Sequence, residues 1–271
     1  MGVNELFEEF YALTNTPFTK DIPVESLYNS NIVEEVISRL EFVAARQQFA
    51  LVVGECGSGK TTIIRKLQSV LNPHMYKVLY VSDSLMTPRN FYKILLEQLG
   101  VVASYYRSDA KRQLHKEIAL LKSAHGVKPV VVTDESHLFN REMLEEIRFT
   151  LNYEYDSVNP MALILVGQLQ LLDTLKKLPY QAIRQRVDIK CEIPCFDRAQ
   201  VMQYISRHMD YAGAKSDVFS DGAVDSIYQY SAGSARMINK VCTSCLNLGA
   251  QNRKKIIDDH MVMQIIEREM V

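Results

Sequence analysis

Apolar and polar positions follow two regimes along the chain. In the earlier part, short runs that are almost continuously apolar alternate with longer stretches in which apolar residues recur every third or fourth position. The short runs, Gln48–Gly54 (QFALVVG), Tyr76–Ser82 (YKVLYVS), Lys128–Asp134 (KPVVVTD), Met161–Gly167 (MALILVG) and Val187–Ile193 (VDIKCEI), predict strands buried on both faces, as in a helix-covered parallel sheet. The periodic stretches predict helices over Thr61–Leu71, Thr87–Gly100, Ala110–His125, Arg141–Tyr153 and Leu169–Leu175. This alternation is the mark of an α/β domain with a five-stranded parallel sheet sandwiched by helices. After "IPCFD" the strands stop. Arg198–Ala212, Ser220–Tyr230, Ala235–Asn252 and Asp258–Met270 all read as helices, with Ser220 or Asp221 as a candidate cap and "SAGSAR" as a turn. The expected division is therefore an α/β domain over 1–193 and a small all-helical unit over 194–271.

The first predicted strand runs into "GECGSGKT", Gly54 to Thr61, which satisfies G-x-x-x-x-G-K-[ST] between a buried strand and a helix. Glycines at this turn let the backbone fold tightly, so that its N–H groups and the helix N-terminus face a polyphosphate. The candidate nucleotide-binding stretch is Gly54, Glu55, Cys56, Gly57, Ser58, Gly59, Lys60, Thr61 and Thr62. Lys60 is expected on the β- and γ-phosphates and the Thr61 hydroxyl on Mg²⁺. A metal site of this kind also needs a carboxylate from a neighbouring strand, and hydrolysis needs an activated water. "PVVVTDESHL" offers both, with Asp134 suited to the outer-sphere Mg²⁺ role and Glu135 to the base. "DESH" also invites a helicase reading, which the helical last third and the missing second α/β core oppose.

Composition changes this picture little. The chain has 271 residues, 47% hydrophobic and 23% charged, as in ordinary globular proteins. No apolar run approaches the roughly 18 residues of a membrane span, and the acidic start "MGVNELFEEFYAL" does not read as a signal, so a cytoplasmic protein without a membrane partner is expected. Five cysteines, Cys56, Cys191, Cys195, Cys242 and Cys245, do not suggest a disulfide framework, and the C-x-x-C of Cys242 and Cys245 lies in a helical pattern that favours core-facing thiols over zinc. The formal net charge is −1, so a polyanion must be met by a local patch. One candidate is "SYYRSDAKRQLHKE", with Tyr105, Tyr106, Arg107, Lys111, Arg112 and Lys116; "NRKK", 252–255, is a second. A solvated helix face explains these residues individually as well.

Together the phosphate loop, Asp134–Glu135, the polar end of "LILVGQ", the arginines of "QAIRQRV" and "GSARMIN" resemble an AAA+ ATPase. "FYALTNTPFTKDIP", "VVVTDESHL", "LILVGQLQLL", "RQRVDIKCEIPCFDR" and "AGSARMINKVC" narrow this to a resemblance to the ExeA-like family and its relatives TniB and MuB. The resemblance implies an AAA+ P-loop NTPase fold with a helical lid, ATP and Mg²⁺ as cofactors, and hydrolysis to ADP and phosphate. It implies a sensor role for Gln168, where many AAA+ proteins carry Asn or Thr. Arg186, with Arg184 as its rival, would act on the nucleotide of a neighbouring subunit, and Arg236 would be a second sensor, preceded by Ala235 where the family usually has proline. The segment 1–45 would belong with the nucleotide domain, with Phe18 either against the adenine or simply in a core. Oligomerisation into a ring or filament follows from an arginine given in trans. ExeA itself continues into a membrane span and a peptidoglycan-binding region, which this chain does not show. The implied function is an ATP-dependent DNA-transposition accessory protein that assembles on duplex DNA and activates a transposase. A secretion or signalling ATPase acting on a protein without DNA is the alternative.

Overall fold

The computed structural model describes residues 7–83, 86–151 and 159–269. In chain order the helices and strands are α1 (Phe7–Phe10), α2 (Asn31–Arg46), β1 (Phe49–Gly54), α3 (Lys60–Val70), β2 (Tyr76–Ser82), α4 (Pro88–Gln98), α5 (Arg107–His125), β3 (Lys128–Asp134), α6 (Arg141–Thr150), β4 (Ala162–Gly167), α7 (Gln170–Lys176), α8 (Gln181–Arg184), β5 (Ile189–Ile193), α9 (Arg198–Ala212), α10 (Asp221–Ser231), α11 (Ala235–Gln251) and α12 (Asp259–Glu269). Two compact units result. One holds Ile32–Gly54 and Lys60–Ile193; the other holds the described residues up to Asn31, the loop Glu55–Gly59 and the chain from Pro194.

The first unit is built on a five-stranded sheet in the order β2-β3-β4-β1-β5, parallel throughout. Alternate residues of the inner strands enter separate apolar cores. Leu51, Val53, Val131, Leu163 and Leu165 pack with Leu95, Leu114 and Ile147 of α4, α5 and α6. Ala50, Val52, Val130, Val132, Ile164 and Val166 pack with Leu40 and Val43 of α2 and Ile64 and Leu67 of α3. The three inner strands are buried almost throughout, as their apolar runs predict. β2 and β5 depart from that expectation: each alternates buried with half-buried or exposed residues, because each is an edge strand.

Helices fall close to their expected places, and caps set their ends. Thr87 accepts a hydrogen bond from the Asn90 N–H at the start of α4, and Gly126, at φ 65°, closes α5 in the left-handed conformation. The expected ends at Tyr153 and Met270 lie outside the described residues. Helix α2 is an addition. Its apolar positions Val36, Ile37, Leu40, Val43 and Ala44 form one buried stripe.

In the second unit α9 to α12 enclose a core that includes Val201, Ile227, Ile238, Val241, Leu246 and Val262. Asp197 and Gln200 form a capping box at the start of α9, and Ser220 rather than Asp221 caps α10. The N-terminal stretch packs here. Phe7 and Phe18 join this core, the Thr14 N–H donates to the Ala212 carbonyl at 2.8 Å, and the Tyr11 hydroxyl donates to the Lys254 carbonyl at 2.9 Å. Apolar side chains thus draw the beginning of this stretch onto the helical core.

Candidate nucleotide-binding site

In the sheet-bearing unit, β1, β3 and β4 run parallel and close at the same end of the sheet, in Gly54, Asp134 and Gly167. The carboxyl ends of parallel strands are where such folds bind ligands. Asp134 is buried, and its Oδ2 accepts from the Thr61 hydroxyl at 3.0 Å and from the Tyr80 hydroxyl at 2.7 Å. Its Oδ1 accepts from the Glu135 N–H at 2.8 Å. A hydroxyl and a carboxylate are hard oxygen donors, so Thr61 and Asp134 fit the Mg²⁺ expected of them. The Lys60 ammonium donates to the Gly54 carbonyl at 3.0 Å, closing the turn on itself.

Glu135 has φ 53° and ψ 28°, a left-handed backbone that a residue with a Cβ adopts at a cost. The kink turns its side chain out, half-exposed, beside the buried Asp134. Its Oε2 lies 3.5 Å from the His137 Nδ1, which also accepts from the Gln168 backbone N–H at 3.4 Å. Gln168 is thereby tied to the turn after β3 through its backbone.

The helical unit contains the loop residues Glu55–Gly59. Gly57 and Gly59 have φ of 82° and 89°, as the tight turn requires. Ser234 Oγ donates to the Cys56 carbonyl at 3.3 Å, and Arg236 Nη1 lies 3.1 Å from Cys56 Sγ. A Cβ on Gly57 would sit 2.3 Å from Ser234 Oγ, so glycine is demanded there by packing as well as by conformation. Ser58 Oγ is buried without a hydrogen-bond partner among the described residues, which fits the phosphate contact expected of this loop.

Several other residues named from the sequence fall elsewhere. Arg186 and Arg184 donate to the carbonyls of Arg148 and Lys176, at 3.3 and 3.2 Å. Phe18 is buried, its ring stacked 5.0 Å from that of His208, and its N–H donates to His208 Nδ1 at 3.0 Å. Burial pushes His208 down to about 4. Of the two roles left open for Phe18, the core role is the one this packing satisfies. Arg107 and Lys111, named for DNA, converge on the buried carboxylate of Glu146, which also receives the Tyr92 hydroxyl. Burial alone would raise the Glu146 carboxyl, but the donors from Tyr92, Arg107 and Lys111 outweigh it and hold it below its ordinary value. Cys242 and Cys245 face the helical core, as expected.

The sequence reading did not single out Tyr80, Ser234, His137, Glu146 or His208. "DESH" did bring His137 next to the acidic pair. The other four act through partners far away in sequence, which no local spacing reveals.

Residues 44–175 match the family described as AAA domain, and the strand order, helical unit and phosphate loop agree with it. The fold is that of an AAA+ P-loop NTPase. The chain is 25% identical over 246 residues to General secretion pathway protein A of Aeromonas hydrophila, covering 89% of this chain and 44% of the relative. It therefore spans less than half of that protein's length. Among solved structures it is similar to a chain of the Drosophila ORC bound to DNA, at 20% identity, 97% coverage of this chain and 65% of that one, with a TM-score of 0.67. The Aeropyrum pernix ORC2 protein in its ADPNP-ADP complexes matches at 15% identity, 96% and 71% coverage and a TM-score of 0.66. At such identities the structures show the AAA+ fold alone.

Proposed function

We propose that this AAA+ chain binds ATP with Mg²⁺ and hydrolyses it to ADP and phosphate, and that nucleotide state controls its self-association. The observation that carries the reading is the Thr61–Asp134 hydrogen bond, which puts the two hard oxygen ligands together at the end of β3. Thr61 and Asp134 would hold Mg²⁺, which supplies neutralisation of phosphate charge when bound. Glycine-permitted N–H groups of the loop and the Lys60 ammonium grip the phosphates, and Glu135 takes the proton of the attacking water. Gln168 orients that water. Arg236, already against the loop at Cys56, reports the γ-phosphate to the helical unit, which serves as the lid. Arg184, exposed on α8, or half-buried Arg186 reaches the nucleotide of a second copy, so the ATPase works as an oligomer, a ring or filament.

Its output, in this proposal, is transposition in the cytoplasm: ATP-loaded subunits collect on duplex DNA and recruit a transposase. The ordered motifs resembling TniB and MuB support this. Because Arg107 and Lys111 neutralise Glu146, phosphate contact falls to exposed cations such as Lys116 and Arg112, the latter shared with Asp109. A second reading, action on a protein partner in a secretion system, is favoured by the likeness to General secretion pathway protein A. Sedimentation of wild type and Glu135→Gln with duplex DNA, with and without ATP, separates the two. ATP-dependent, salt-sensitive co-sedimentation supports the transposition reading; ATP-dependent self-association that ignores DNA contradicts it and leaves the secretion reading.

A further inference from the structure

β2 is an edge strand, so residues facing away from β3 have backbone groups without a strand partner. At Tyr80 a single side chain fills that gap. The Gln98 amide, at the end of α4, accepts from the Tyr80 N–H at 2.9 Å and donates to the Tyr80 carbonyl at 2.8 Å, replacing the missing strand. With its backbone latched, Tyr80 projects on the same side of the sheet as Asp134, since Tyr80 pairs with Val132 and Ser82 with Asp134 in register. Its hydroxyl then donates to the same Asp134 oxygen that receives Thr61.

We infer that Tyr80 is a positioning residue for the metal site: its phenol, anchored by Gln98, fixes the orientation of the Asp134 carboxylate toward Thr61. The inference rests on the proposed Mg²⁺-ATP reading of the site and deepens it. A carboxylate bonded at both oxygens cannot rotate freely. Without the phenol one of those restraints is lost, and the carboxylate must be ordered when the cation arrives. Hydrogen bonds to ligating carboxylates typically change metal affinity by about 10–100-fold. The phosphate grip by Lys60 and the loop amides does not pass through Tyr80, so nucleotide binding without metal is separate from this effect.

The test is fluorescent ATP-analogue binding to wild type, Tyr80→Phe and Gln98→Leu, first in excess EDTA and then across a Mg²⁺ titration, with a thermal melt of each protein. The expected result is that Tyr80→Phe binds as wild type does in EDTA but needs about tenfold more Mg²⁺ to reach its tight state. Gln98→Leu should shift the Mg²⁺ midpoint in the same direction by a few-fold. A midpoint unchanged in both variants overturns the inference, as does an equal loss with and without Mg²⁺, which would mark Tyr80 as packing only. If one variant does not fold, the other decides on the same criterion. A wild type that binds without any dependence on Mg²⁺ overturns the proposed function itself, and the inference with it.

Discussion

At the scale of single residues, His208 couples the N-terminal stretch to the helical core through one nitrogen. Its Nδ1 accepts the Phe18 N–H and must be unprotonated to do so. In the unfolded chain a histidine takes up its proton near pH 6.5; in the folded protein burial delays this to about 4. Between those values the unfolded state binds more protons, so stability is full above about pH 6.5 and falls as pH drops toward 4. The whole of that loss amounts to about 3 kcal/mol. Urea unfolding of wild type and His208→Phe at pH 7.5 and pH 5 measures it. The wild type should lose about 2 kcal/mol more than the variant on acidification, whereas equal losses would show that His208 does not titrate in this way.

At the scale of elements, α6 is held to α4 and α5 by a charge cluster within the sheet-bearing unit. Glu146 on α6 gathers Tyr92 of α4 and Arg107 and Lys111 of α5, and the Thr150 hydroxyl bonds the Tyr92 oxygen at 2.7 Å. Removing the carboxylate takes one partner from the buried Tyr92 phenol, which keeps Thr150, one from Arg107, which keeps Glu142, and the ion pair of Lys111, a loss on the order of 3 kcal/mol. Glu146→Ala should lower the urea midpoint accordingly, and Arg107→Ala should cost less, because Arg107 is half-exposed and Lys111 remains. A Glu146→Ala protein within 1 kcal/mol of wild type would contradict this ~3 kcal/mol assignment.

The same elements show what can be read without coordinates. β1, β3 and β4 announce themselves because burial on both faces leaves no polar interruption, and the phosphate loop because all of its chemistry lies within eight adjacent positions, Gly54 to Thr61. Strand order is another matter. β1 lies between β4 and β5, a pairing set by crossover connections and not by any residue pattern. Helix α2 carried its signal in the spacing of Val36, Ile37, Leu40 and Val43, masked by the irregular stretch before it. Tyr80 reads from the sequence as one more strand aromatic; only the alignment of β2 with β3 turns it into a donor to Asp134. Lys111 and Arg107 looked like a surface patch because their acceptor, Glu146, lies 35 and 39 positions further along the chain.

At the scale of the molecule, the described residues include no helix long and apolar enough to cross a membrane, and the formal net charge of −1 gives no general attraction to nucleic acid. Whatever the chain acts upon, the engine we propose is the same: a turn that grips phosphate, Asp134 as the metal carboxylate and, one residue on, Glu135 as a base on a left-handed backbone. The direct measurement is Mg²⁺-ATP binding and single-turnover cleavage by wild type and Glu135→Gln. The account predicts that the variant binds ATP about as tightly as wild type but cleaves it roughly 10²–10⁴-fold more slowly. A variant that cleaves as fast as wild type, or a wild type that binds no ATP in Mg²⁺, would contradict it.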